Sequence, residues 1–190
     1  MQGIYKKAFV TVAAILFVAG SSLADDPIGT GTVSSADVQE NENQTGIGGT
    51  STVYRGAAGI GMRAYVNGLR GDFPYTVWAV IFNYPQACMN FPDPCTAADF
   101  DPAGPTQTRV TQAARNYSDD DGTGFFSGFI PVGAALFNAN RAEVHFIYRR
   151  HPDDNDAEYE SLNMVGGNCT AMDGPSNDQC QDEGFSIHKR

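Results

Sequence analysis

Tyr75-Thr76-Val77-Trp78-Ala79-Val80-Ile81-Phe82-Asn83 is the stretch on which the fold turns. β-Branched and aromatic residues dominate it, and it holds the only Trp of the chain. Trp78, Val80 and Phe82 fall on one face and Val77, Ala79 and Ile81 on the other. Both faces are apolar, so the run reads as a central strand covered on both sides. It leads into a Pro-rich segment carrying Cys88 and Cys95.

Shorter strands flank it in both directions. Thr52 to Arg55 is one. Ile60, Met62, Ala64 and Val66, alternating with Gly61, Arg63, Tyr65 and Asn67, form a half-buried second. Asn67-Gly68 and Arg70-Gly71-Asp72 turn the chain into the central strand. Thr108 to Tyr117 is extended, Ser118-Asp119-Asp120-Asp121-Gly122 is a hairpin turn, and Gly124 to Val132 returns. Ala134 to Asn140 suggests one helical turn. In Glu143 to Arg150, Val144, Phe146 and Tyr148 point in while Glu143, His145 and Arg149 point out. Phe185 and Ile187 point in, and Ser186 and His188 out, in a last strand. About seven strands without a long helix indicate a single antiparallel β-sandwich, Ig-like or a similar Greek key; a closed barrel is the alternative.

The N-terminus reads as a secretory signal: basic Lys6 and Lys7, an apolar run from Ala8 to Ala19, and a small-x-small site at Ser22-Leu23-Ala24. Residues 1–24 are expected to be removed and 25–50, poor in large apolar residues, to be a flexible leader. Residues 51–190 form the domain. The whole chain has 22 acidic and 12 basic residues. Loss of Lys6 and Lys7 leaves about −12, which lacks the basic footprint nucleic acid requires. No second long apolar run offers a membrane span to the mature chain.

The four cysteines, Cys88, Cys95, Cys169 and Cys180, form an even set in an exported chain and read as disulfides. Local pairs, Cys88–Cys95 and Cys169–Cys180, are expected among the three connectivities. A thiolate metal site lacks the Cys-x-x-Cys spacing.

The run Tyr75-Thr76-Val77-Trp78 into Phe82-Asn83, followed by Pro85 and Cys88, resembles the signature of a family of uncharacterised secreted bacterial proteins. Ala142-Glu143-Val144-His145, the pair Cys169 and Cys180, and Phe185-Ser186-Ile187-His188 extend the resemblance over about Val53 to His188. The chain departs from the pattern at Ala79, where a second Trp is usual. It departs again after His151, where Pro152-Asp153-Asp154 replaces a Gly-Pro-like turn. The resemblance implies a secreted β-sandwich and implies no activity.

Catalytic motifs are sparse. Gly124-Phe125-Phe126-Ser127-Gly128 lacks the spacing of a nucleophile elbow, and Ser127 reads as a packing residue. Gly46-Ile47-Gly48-Gly49 lacks the strand-to-helix setting of a phosphate loop. Asp119 to Asp121, and Asp153, Asp154, Asp156 and Glu158, read as solvated turns; Tyr117 stands where a calcium loop needs an oxygen ligand. Asn43, Asn116 and Asn168 fit the glycan-acceptor pattern by chance in a chain of bacterial resemblance. The three histidines, His145, His151 and His188, are the sharper feature. With Glu143, outward-facing His145 and His188 on neighbouring strands would suit Zn²⁺ or Cu²⁺, His151 ending the strand. Against this stands the plainer reading of surface imidazoles. A blue-copper centre needs a Cys closer to His188 than Cys180. The expectation is an exported non-catalytic binding or scaffolding domain with an extracellular or periplasmic partner, without catalytic residues or cofactor, its contact surface on the loops at one end. A Zn or Cu protein is the alternative and a hydrolase the third.

Overall fold

The computed structural model describes residues 31–41, 44–151 and 180–190. These residues hold nine strands: β1 (Thr32–Asp37), β2 (Gln39–Glu40), β3 (Gly48–Gly56), β4 (Gly59–Asn67), β5 (Pro74–Phe82), β6 (Arg109–Tyr117), β7 (Gly124–Pro131), β8 (Glu143–Arg150) and β9 (Gln181–His188). Two antiparallel sheets result, a four-stranded one ordered β1-β3-β4-β7 and a five-stranded one ordered β2-β9-β8-β5-β6.

The central strand is where its composition puts it. β5 lies between β8 and β6, and all but one of its residues are buried. Val77, Ala79 and Ile81 join one hydrophobic cluster with Val53, Ile60, Met62 and Phe126 of the first sheet and Phe146 and Tyr148 of β8. Phe82 and Val80, on the opposite face, pack against the Cys88–Cys95 disulfide. Trp78 is buried on that face too, its indole Nε1 without a hydrogen-bond partner among the described residues. Gly122 adopts φ 79° in the β6–β7 connection, the left-handed backbone that the Asp-Gly signal anticipated. β7 and β6, edge strands of different sheets, approach closely: a Cβ on Gly128 would sit 1.8 Å from the Ala113 carbonyl oxygen.

Two strands more than expected arise from the segment read as a flexible leader. β1 pairs with β3 over six residues and β2 with β9 over two. Their side chains are mostly exposed. An edge strand is held by its backbone ladder and needs little apolar content, so composition alone misjudged it. Residues 134–140 are not helical; among the described residues the short helical turns are 3₁₀, at Pro85–Ala87 and Ala97–Asp99, on either side of the Cys88–Cys95 loop. The expected signal segment 1–24 and the acidic cluster Asp153 to Glu158 lie outside the described residues, as does Cys169. The Cys169–Cys180 pair is therefore not described, although Cys180 itself is buried.

Candidate functional site

The four residues expected to share a metal are not brought together. His145 and His188 do lie on adjacent strands, but β8 and β9 pair Val144 with His188 and His145 with Ile187. Partners across a ladder share a face, so the two rings point to opposite sides of the sheet. His188 and Ser186 face the core, and Phe185 and Ile187 face out, the reverse of the expected parity. The outer face of this sheet also carries Trp78, Val80 and Ile147, so apolar side chains stand on both sides and alternation gives no direction. His151 follows β8 six residues after His145, roughly 20 Å along an extended chain. Among the described residues no group of three or more His, Cys, Asp or Glu is placed to hold a metal ion.

Each imidazole has a local partner instead. His145 Nε2 lies 2.7 Å from Glu143 Oε1, and that oxygen also accepts from the Cys95 backbone N–H at 2.7 Å. Glu143 faces out as expected, yet the disulfide loop folds over it and buries it. His151 Nε2 is 2.7 Å from Thr76 Oγ1, and burial, then the Arg149 charge, draws its pKa down to about 4. His188 sits between β1 and β3: Nδ1 is 3.2 Å from Ser34 Oγ, and Nε2 shares a short hydrogen bond with Ser51 Oγ. Ser186 Oγ donates to Ser51 at 3.0 Å and lies 3.4 Å from the Tyr148 hydroxyl, extending the polar chain into the core.

The Ser34–His188 pair borders an open recess of about 400 Å³, together with Gln39, Ile187 and Lys189. It is poorly arranged for nucleophilic attack. Both ring nitrogens meet serine hydroxyls, and burial, with Arg55 next, holds the His188 pKa down to about 4. A general base that must become imidazolium needs the opposite environment.

Sequence reading missed Arg55. Its guanidinium is buried and donates from Nη1 to the Ala139 and Ala142 carbonyls, each at 2.7 Å, and from Nη2 to those of His188 and Lys189 at 3.0 and 3.2 Å. The available signal was its parity with inward Val53. Asn83 was missed too. Its amide donates to Gln107 and Ala135 carbonyls and accepts from the Phe137 N–H, joining the β5–β6 and β7–β8 loops. Asp99 fixes the disulfide loop by accepting from the Met89 and Thr96 N–H groups at 2.8 Å each, bonds that hold its pKa below the ordinary value, Met89 foremost.

Among the described residues, exposed aromatic rings group on two surfaces. At the loop end these rings already have partners: Arg109 lies 5.7 Å from the Phe137 ring, Tyr84 is 6.5 Å from the same ring, and Arg190 is 5.1 Å from Phe91. On the outer face of the first sheet the register sets side chains in cross-strand rows. One row is Val33, Tyr54, Gly61 and Phe129; the next is Ser35, Thr52, Arg63 and Ser127; the third is Asp37, Thr50, Tyr65 and Phe125. Phe125, Phe129 and Tyr65 are 60%, 47% and 42% exposed. Tyr65 and Phe125 pair at 4.8 Å, Arg63 lies 5.7 Å from the Tyr54 ring, and the Phe129 ring overlies Gly59.

Among the described residues no helix is long and apolar enough to cross a membrane. The chain matches no family model, no curated protein and no solved structure.

Proposed function

We propose that this chain is an exported, non-catalytic binding or scaffolding domain, a β-sandwich that holds its partner on the outer face of the first sheet. The observation that carries the reading is the exposure of Tyr65, Phe125 and Phe129 on one face of paired strands, where the register sets Tyr65 beside Phe125 and Phe129 two rows along the same strand. Exposed apolar side chains grouped on one surface mark interaction sites. A platform built on a paired sheet loses little conformational freedom when it binds. The loops, where the sequence suggested contact, carry Tyr84, Phe91 and Phe137 on irregular backbone, whereas Tyr65, Phe125 and Phe129 stand on paired strands, so the sheet face is the better candidate. Export is supported by the signal-like N-terminus, by the Cys88–Cys95 disulfide and by the resemblance to secreted bacterial proteins.

The test compares retention of the purified domain on isolated cell envelopes. Tyr65→Ser/Phe125→Ser should lose retention, while Tyr84→Ser/Phe137→Ser should keep it. The reverse pattern returns the surface to the loops, and equal behaviour of all three proteins removes the binding reading. For the secreted form, a mass corresponding to a start at Asp25 is expected.

A further inference from the structure

We infer that the aromatic face of the first sheet binds an uncharged polysaccharide chain. The inference rests on that face being the contact surface and names what it holds. The platform is small. Four strands spaced about 4.8 Å apart, and the four-residue interval from Phe125 to Phe129 at about 3.3 Å per residue, outline roughly 14 by 13 Å. A stable protein interface takes about 800 Å² from each partner, several times this area. A folded protein, a second copy of this chain included, gains too little here, whereas a narrow chain can lie along the platform.

Charge narrows the choice. The three rows carry one cation, Arg63, and one carboxylate, Asp37 at a corner, on a chain of net charge −10. A polyanion meets no complementary field there. An anionic lipid surface would repel so acidic a chain.

The remaining chemistry is a neutral ligand with apolar ring faces and hydroxyl edges. A pyranose ring has both: its axial C–H groups, partially positive, pack on the negative face of an aromatic ring. Phe129 stands at one end of β7's exposed face and the Tyr65–Phe125 pair at the other. The row between them offers the Ser127 hydroxyl, the Arg63 guanidinium N–H groups and the Ser35–Thr52 pair, whose hydroxyls share one hydrogen bond at 3.1 Å and keep one O–H and their lone pairs for sugar hydroxyls. Apolar stacking thus brackets a hydrogen-bonding strip, which suits successive sugars of one chain.

The experiment sediments the mature protein with cellulose, chitin and xylan. In parallel it uses polygalacturonate and phosphatidylcholine/phosphatidylglycerol vesicles, with light scattering for self-association. Wild type should be retained by at least one neutral polysaccharide, with little change on raising salt. Tyr65→Ser/Phe125→Ser should weaken retention about tenfold or more, as loss of anchor side chains does. Phe129→Ser should also weaken it. Should loss of the ring over Gly59 lower the stability of that variant, the Tyr65/Phe125 variant, both of whose rings are exposed, carries the test. Retention that depends on these rings but occurs on vesicles, on polygalacturonate or between copies overturns the polysaccharide assignment and leaves the platform standing. Absence of ring-dependent retention on every probe overturns the polysaccharide assignment, and its combination with ring-independent retention on cell envelopes overturns the platform as well.

Discussion

Replacing Arg55 by Met should unfold this domain more readily than almost any other single change, because one guanidinium holds three parts of the chain. It joins β3 to the loop carrying Ala139 and Ala142 and to the C-terminal residues His188 and Lys189. Two effects oppose each other. Burial pulls the Arg55 pKa down to about 10, the nearby Glu143 charge partly offsetting it. At about 1.4 kcal/mol per pH unit, that drop reports roughly 3 kcal/mol of strain on the cation, which the substitution would relieve. Against this, hydrogen bonds from a charged donor contribute about 1.5–3 kcal/mol each, and four are lost. Met fills the volume of the stem but leaves the buried carbonyls without a donor. Loss outweighs relief, and allowing the carbonyls nearest the exposed C-terminus to rehydrate gives a net destabilisation of roughly 3–5 kcal/mol. With a urea m-value of about 2 kcal/mol/M, the unfolding midpoint at neutral pH should fall by about 1.5–2.5 M. Arg55→Lys should fall between the two, since a single ammonium cannot span four carbonyls. A midpoint for Arg55→Met within about 0.5 M of wild type would show that the four bonds carry no net stability and would refute the reasoning.

Acid should weaken the fold before its carboxylates titrate. His151 and His188 have folded pKa values of about 4 against an ordinary 6.5, so the unfolded chain binds more protons between those limits. Stability is complete above pH 6.5 and falls as pH drops toward 4, by at most about 1.4 kcal/mol per pH unit for each ring, less where solvent screens it. Urea midpoints from pH 6.5 to 5 should decline, and His188→Asn should flatten the slope; a level profile would contradict the burial assigned to these rings. Trp78→Ala should cost about 3–5 kcal/mol by emptying a buried aromatic site on β5, and a urea midpoint near wild type would make the strand peripheral. Cys88→Ser/Cys95→Ser closes no loop there and should lose about 2–3 kcal/mol; thermal unfolding with and without reductant checks it, with the double variant losing less on reduction than wild type because only the bond of Cys180 is left to reduce.

The difference between what could and could not be read is physical. Strand identity is local. Tyr75 to Phe82, Ile60 to Val66 and Glu143 to Arg150 declare themselves through β-branched content and spacing, and Asp-Gly declares the β6–β7 turn. Edge strands declare less. β1 and β2 are polar segments held by backbone bonds to β3 and β9, and no side-chain pattern announces that. Facing is legible only where one side of a sheet is wet. It was legible for β4, where Arg63 and Tyr65 alternate with core residues, whereas the Phe125-Phe126 run of β7, apolar on both parities, gave no direction. It failed for β9, because both faces of the second sheet carry apolar side chains and Phe185-Ser186-Ile187-His188 fits either way.

The sequence by itself thus determined an all-β chain built around β5 and a paired Cys88 and Cys95. Only the tertiary structure decided which residues meet. Register turned His188 away from His145 and into Ser34 and Ser51. Loop closure placed Glu143 beneath Cys95, and the approach of distant carbonyls made Arg55 a hub. Cross-strand pairing gathered Tyr54, Tyr65, Phe125 and Phe129, far apart in the chain, onto one face. Side-chain type and period are properties of a few consecutive residues, whereas partnership across strands depends on a one-residue choice of register, which is made by the whole of the packed core.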